Sequence, residues 1–98
     1  PLAADPTGAV SRIFGVYDSN SGLALRGTFI INPEGTLVSS EINFYNVGRD
    51  ASELLRKMEA NAYLVRHPEQ ACPAKWKPGS KTLTPSKDMV GKVFEALQ

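Results

Sequence analysis

Apolar residues change their period along this chain, and each change marks an element. Ala9, Val10, Ile13 and Phe14 recur at helical spacing behind Asp5-Pro6, a side-chain cap followed by a proline whose missing N–H costs nothing at a first helical position. Gly15 is expected to stop this short helix. After Asp18-Ser19-Asn20-Ser21-Gly22, which reads as a loop, the pattern turns strand-like. Thr28-Phe29-Ile30-Ile31 forms one run, and Thr36-Leu37-Val38 through Ile42-Asn43-Phe44 forms the next. Between them Asn32-Pro33-Glu34-Gly35 has proline where a turn needs a fixed φ and glycine where it needs a left-handed residue, so the two runs are predicted to form an antiparallel hairpin.

Asp50-Ala51-Ser52-Glu53 has the form of a capping box and opens a longer helix. Ala51, Leu54, Leu55, Met58, Ala62 and Val65 line one face, Glu53 and Lys57 form an i,i+4 pair on another, and Pro68 ends it. Such a helix is expected to cover a sheet. Residues 68–85 read as an extended arm. Ser86 then starts a final helix with Met89, Val90, Val93, Phe94 and Leu97 as its apolar stripe.

The order is helix, hairpin, helix, extended arm and short helix, an α/β pattern without internal repeats. Two strands and one covering helix cannot bury both faces of a sheet, so further strands are expected from sequence outside the chain or from another chain. The start at Pro1, without methionine and close against a helix-start signal, reads as a piece of a longer protein.

Composition narrows the function classes. At 98 residues and 42% hydrophobic content the chain is one small domain at most, with little stability margin and a need for a partner. A net charge of +1, from 11 basic and 10 acidic residues spread without blocks, gives no footprint for nucleic acid or for an anionic membrane. No run approaches the roughly 20 apolar residues of a membrane span and no leader is evident, so a soluble, cytoplasmic protein is expected. One cysteine cannot form an internal disulfide. Without a second cysteine or a histidine cluster it cannot form a zinc site either, and no cofactor is expected.

That cysteine, Cys72, lies in Cys72-Pro73-Ala74-Lys75-Trp76-Lys77-Pro78-Gly79, too rich in proline and glycine for helix or strand. A lone cysteine is commonly a small buried hydrophobe. A loop thiol beside Lys75 and Lys77, which would favour its thiolate, reads instead as redox chemistry. Trp76 is expected to anchor the arm, burying its indole while the ring N–H reaches a backbone carbonyl. His67 reads as a helix C-terminal residue favoured by the macrodipole rather than as a base.

Four segments together resemble the C-terminal half of the typical two-cysteine peroxiredoxins, most closely the alkyl hydroperoxide reductase branch of the AhpC type. They are Ala4-Asp5-Pro6-Thr7; Tyr17 with Gly22-Leu23-Ala24-Leu25-Arg26-Gly27-Thr28-Phe29-Ile30-Ile31; Val47-Gly48-Arg49; and Cys72 through Gly79 leading to Met89-Val90-Gly91-Lys92. The resemblance implies part of a thioredoxin-like fold. It makes residues 1–67 the C-terminal part of that domain and residues 68–98 an arm carrying the resolving cysteine.

It also implies a thiol-dependent peroxidase that reduces hydrogen peroxide and organic hydroperoxides. In that family the peroxidatic cysteine sits in a Pro-x-x-x-Thr-x-x-Cys motif, which this sequence does not contain. Cys72 matches the resolving cysteine, which forms an intersubunit disulfide with the oxidised peroxidatic cysteine of a partner. Arg26 matches the arginine that polarises the peroxide, and Arg49 matches a second, supporting arginine. The implied partners are a second copy in a homodimer, a possible ring of dimers, and thioredoxin or a flavoprotein disulfide reductase as electron donor.

Read without the resemblance, Arg26 is a solvated charge at a strand edge and Arg49 an ordinary surface charge before a helix. Two other function classes fit the same residues: a non-enzymatic redox-binding module acting through Cys72, and a purely structural oligomerisation module. The chain also lacks the Tyr-Phe tail of peroxide-sensitive eukaryotic relatives, and Asn43-Phe44-Tyr45-Asn46 is more apolar than the turn expected there.

Overall fold

Asp5 accepts the backbone N–H groups of Val10 and Ser11 at 3.2 and 2.9 Å and the Ser11 hydroxyl at 2.8 Å. It thereby caps α1, Ala9–Ile13, in a computed structural model that describes all 98 residues. Asp5 is the predicted side-chain acceptor, but it stands three residues before the N-cap, Gly8, and Pro6 is not the first helical residue. A turn closed by the Gly8 N–H on the Asp5 carbonyl intervenes, and Gly8, at φ 71°, becomes the residue from which the helix starts. A Cβ there would stand 2.8 Å from the Tyr17 ring, so both conformation and space require glycine.

The chain divides into two compact units, Pro1–Arg49 and Asp50–Gln98. In the first, the polar run expected to be a plain loop is the tip of a small hairpin, β1 (Tyr17–Asp18) paired antiparallel with β2 (Leu23–Ala24). Asp18 makes this turn: its carboxylate accepts the Asn20 N–H at 2.9 Å, the Ser21 hydroxyl at 3.0 Å, and the Tyr45 hydroxyl.

The predicted larger hairpin is present as β3 (Arg26–Ile31) against β4 (Leu37–Asn43), in the register Arg26↔Asn43, Thr28↔Glu41 and Ile30↔Ser39, with an irregularity after Ile30. Its turn is the expected one. Gly35, at φ 84°, donates to the Asn32 carbonyl at 2.9 Å, and the Asn32 side chain accepts the Thr36 N–H at 2.8 Å. Phe29 packs on Phe14 with ring centroids 4.6 Å apart, and Val16 is the buried hydrophobic residue of this unit. Ile31, Leu37 and Ile42 on the hairpin remain about half exposed, as does Phe44 just beyond β4.

The second unit is built on α2, Ala51–Arg66. Asp50 caps it, accepting from the N–H groups of Ser52 and Glu53 at 2.9 and 3.3 Å. The capping box is one-sided, because Glu53 turns away to meet Arg56 in a two-pronged pair at 2.7 and 2.8 Å. Arg56 is the hydrogen-bonded cation of Glu53, since a guanidinium fork matches both carboxylate oxygens one turn along, while the charge of the expected partner, Lys57, also lowers the Glu53 pKa. The helix ends at Arg66 with His67 as C-cap, its ring stacked on Tyr63 at 4.2 Å, the terminal position expected of it.

After α2 the chain is irregular, as expected of an arm, but it is closed upon itself. Ala71 and Leu83 exchange backbone hydrogen bonds at 2.7 and 2.9 Å, and the Gln70 carboxamide oxygen accepts both the Tyr63 and the Thr82 hydroxyls at 2.6 Å. The single final helix does not form. A 3-10 turn over Lys87–Met89 and a short α3, Val93–Ala96, are separated by Val90 in extended conformation and Gly91 at φ 77°. Glycine in a left-handed conformation ends a helix instead of continuing it, so the expected stripe is split, and Val90 and Phe94 stand 81% and 76% exposed. No helix of the chain is long and apolar enough to cross a membrane.

Candidate functional site

Cys72 follows Ala71, one of the two residues that close the loop, and its thiol is free and half-buried. The loop is held from its middle. Trp76 is only 3% exposed, lies 5.1 Å from the Tyr63 ring, and donates its Nε1–H to the Ser80 carbonyl at 3.2 Å. Pro73 accepts the Trp76 N–H at 3.1 Å, and Lys75 just before it takes φ 64°, a left-handed turn into the anchor. Trp76 therefore does what its sequence context predicts, burying area while satisfying its single polar atom on the backbone.

The electrostatics of the thiol differ from the expectation. Burial pushes the Cys72 thiol up from its ordinary value, and the cation that partly opposes this is Arg56, from α2, in place of the loop's own Lys75 and Lys77. Both lysines are exposed, where water screens them. Arg56 is held on one side by Glu53 and on the other by the Trp76 carbonyl, to which its Nη1 donates at 3.2 Å. Sequence pattern did not single Arg56 out. Its position one turn after Glu53 is legible, but its link to Trp76 depends on how the loop folds back.

The two arginines singled out in the sequence lie in the first unit, and Cys72 lies in the second. Arg26 begins β3 opposite Asn43 and is exposed. Arg49 reaches back to the same strand, donating from Nη1 to the Gly27 carbonyl at 2.8 Å and to the Thr28 hydroxyl at 3.1 Å. β3 is thus where these two meet: Arg26 stands on it, and Arg49 is tied to the two residues that follow. Gly27 is fixed by packing, since a Cβ there would lie 2.8 Å from the Phe29 ring and 3.0 Å from Val16. No three His, Cys, Asp or Glu side chains converge as a metal site would require.

Comparison with known proteins accounts for both halves of this arrangement. The AhpC/TSA family matches residues 1–40, and the C-terminal domain of 1-Cys peroxiredoxin matches residues 65–96. Alkyl hydroperoxide reductase C of Pseudomonas aeruginosa is 52% identical over 95% of this chain and 50% of its own length, and that of Bacillus subtilis is 50% identical over 94% and 49%. The chain spans about half the length of the curated relatives it matches. Among solved structures, the reduced 2-Cys peroxiredoxin of Plasmodium vivax superimposes with a TM-score of 0.86 at 26% identity, covering 96% of this chain and 48% of that one. AhpC of Enterococcus faecalis matches 71% of this chain and 42% of its own at 48% identity, with a TM-score of 0.67. The α/β elements are those of a peroxiredoxin, and along almost its whole length the chain matches the C-terminal region of the AhpC-type peroxiredoxins.

Proposed function

We propose that the chain is the C-terminal portion of a thiol-dependent peroxidase acting on hydrogen peroxide and organic hydroperoxides, with Cys72 as the resolving thiol. The observation that carries this reading is a half-buried, unpaired thiol at the closure of an anchored loop, within the segment that matches the peroxiredoxin C-terminal domain. Residues 1–67 then belong to the thioredoxin-like domain and residues 68–98 form the arm.

The chemistry proceeds in two steps. A peroxidatic thiolate, which this sequence does not itself supply, attacks one peroxide oxygen; the O–O bond breaks, the sulfur becomes a sulfenic acid, and the other oxygen leaves as water or an alcohol. The Cys72 thiolate then attacks the sulfenic sulfur of a partner subunit. An S–S bond forms, the S–O bond breaks, and hydroxide leaves with a proton as water. Thioredoxin or a flavoprotein disulfide reductase returns two electrons to the disulfide.

Arg26 supplies fixed donors for the O–O bond and for the departing oxygen. Arg49, bonded to Gly27 and Thr28, supports Arg26 by holding the start of β3 in place. The working unit is a cytoplasmic homodimer that assembles into a ring of dimers. β4 pairs only with β3 within this chain, so its other edge is the candidate for pairing with a second copy.

In the intact peroxidase, one equivalent of hydrogen peroxide should produce a dimer band on nonreducing gels that Cys72→Ser abolishes. A band that survives the substitution refutes the reading. The 98-residue chain alone should show no peroxidase turnover even with a dithiol reductant.

A further inference from the structure

The arm is fastened to α2 by two aromatic and polar contacts from Tyr63, to Trp76 and Gln70, and by one charged group, Arg56. Arg56 differs from a surface arginine in having each of its three guanidinium nitrogens hydrogen-bonded. Nε and Nη2 hold the two oxygens of Glu53, and Nη1 holds the carbonyl of Trp76, the buried residue four positions after Cys72. Its side chain is 22% exposed, so the fork is both oriented and partly withdrawn from water. On its open side a groove of about 290 Å3 runs between α2 and the loop, lined by Ser52, Leu55, Glu59, Lys77 and Pro78 as well as the pair itself.

We propose that Arg56 is a positioning residue for the Cys72 thiol: its guanidinium, oriented by Glu53, ties the Cys72 loop to α2 through the Trp76 carbonyl and keeps a fixed positive charge on the side from which α2 faces that loop. The proposal deepens the resolving role given to Cys72 and rests on it.

Two effects on the thiol oppose each other. Burial of the loop destabilises the thiolate needed for attack on a sulfenic acid, and the Arg56 charge restores part of it. The coupling is mutual, since Cys72 in turn favours the charged form of Arg56. The charged groups that bear on the thiol are thus Arg56 from α2, with Glu53 acting through Arg56, and on the loop itself the exposed Lys75 and Lys77, whose effect water screens. A lysine at position 56 would keep the charge and lose the fork; a glutamine would lose the charge.

The test is alkylation of Cys72 in the 98-residue chain by iodoacetamide, an uncharged probe, followed across pH. The thiolate displaces iodide, a C–S bond forms and the C–I bond breaks, so the midpoint of the rate profile reports the thiol directly. Arg56→Gln should raise that midpoint by about half a pH unit, the size of a partly exposed charge pair. Arg56→Lys should bring it back towards the parent value.

Glu53→Gln, which removes the counter-charge while its amide oxygen still accepts from the fork, should move the midpoint the other way, to lower pH. A general loosening of the loop would not produce opposite signs from two members of one pair. An unmoved Arg56→Gln profile, or a Glu53→Gln midpoint that stays or rises, overturns the proposal; the Glu53 variant alone decides if the Arg56 variants fail to fold. Failure of the underlying reading looks different. There, the intersubunit disulfide of the intact peroxidase survives Cys72→Ser whatever the alkylation profiles do.

Discussion

Trp76 and Tyr63 meet with their ring centroids 5.1 Å apart and their planes inclined by 47°, an aromatic pair that joins the middle of the Cys72 loop to the C-terminal half of α2. The contact is the centre of the second unit, where Trp76 is the buried hydrophobic residue. Truncating it to alanine removes that centre and leaves the Arg56 fork without a fixed carbonyl.

Trp76→Ala is therefore expected to destabilise the unit by about 3 kcal/mol or more, the range for a large aromatic lost from a packed site. Trp76→Phe keeps most of the area and loses the hydrogen bond to Ser80, costing about 1 kcal/mol. Urea denaturation followed by far-ultraviolet circular dichroism ranks the two. A Phe variant as unstable as the Ala variant would mean that the indole N–H, not its area, holds the loop.

What could be read from sequence follows the range of the interactions involved. Asp5, Asp50 and the Asn32 to Gly35 turn act over a few residues; the Asp50 cap and the hairpin appear where the pattern put them, and Asp5 serves a helix that starts later, from Gly8. The apolar stripe of the last helix failed for an equally local reason, since Gly91 adopts a left-handed conformation that the periodicity of its neighbours does not reveal. The small β1–β2 hairpin was missed because two-residue strands carry no alternation to detect. At the candidate site, Cys72 and Trp76 were legible from composition and motif. The closure of the loop by Ala71 with Leu83, and the cation that acts on the thiol, come from residues 12 and 16 positions away from their partners and have no signature in the sequence.

Gly27 offers a test of packing in the first unit. Gly27→Ala drives a methyl group to 2.8 Å from the Phe29 ring and 3.0 Å from Val16, in the one cluster this unit buries, and is expected to cost about 1 to 3 kcal/mol. Gly48→Ala is the matched control, because no atom lies within 4 Å of the Cβ it would add. Equal stabilities for the two variants, measured by the same urea titration, would show that Val16 and Phe29 yield without cost.

The start of α2 should respond to acid. Asp50 is held below its ordinary pKa first by the Ser52 hydroxyl and then by the N–H groups of Glu53 and Ser52. A depressed folded pKa means the cap contributes above the ordinary carboxylate value and loses its contribution as pH falls through the lower, folded one. The first turn of α2 is thus expected to fray below about pH 3.8, the value from which Asp50 is lowered. Asp50→Asn keeps an acceptor for the N–H groups and should remove this step, whereas Asp50→Ala should fray the turn at every pH. Carbon chemical shifts of Ser52 and Glu53 across an acid titration distinguish the three cases.

Protection against hydrogen exchange should fall along the second unit in an order set by its bonds. Residues 51–65 have the continuous ladder of α2 and should exchange slowest. The Ala71 and Leu83 amides, bonded to each other, and the Trp76 amide, bonded to Pro73, should follow. Residues 84–98 should exchange fastest, since only a 3-10 turn and the four residues of α3 hold them, with Val90 and Phe94 exposed. The resolving role proposed for Cys72 needs this gradient: a thiol that must reach a partner's sulfenic acid has to be carried by a segment that opens at lower cost than the helix it leaves. Mass spectrometry of deuterated peptides from the chain resolves these three stretches. If residues 68–98 are protected as well as residues 51–65, the segment does not open ahead of the helix, and delivery of Cys72 by a yielding arm is ruled out.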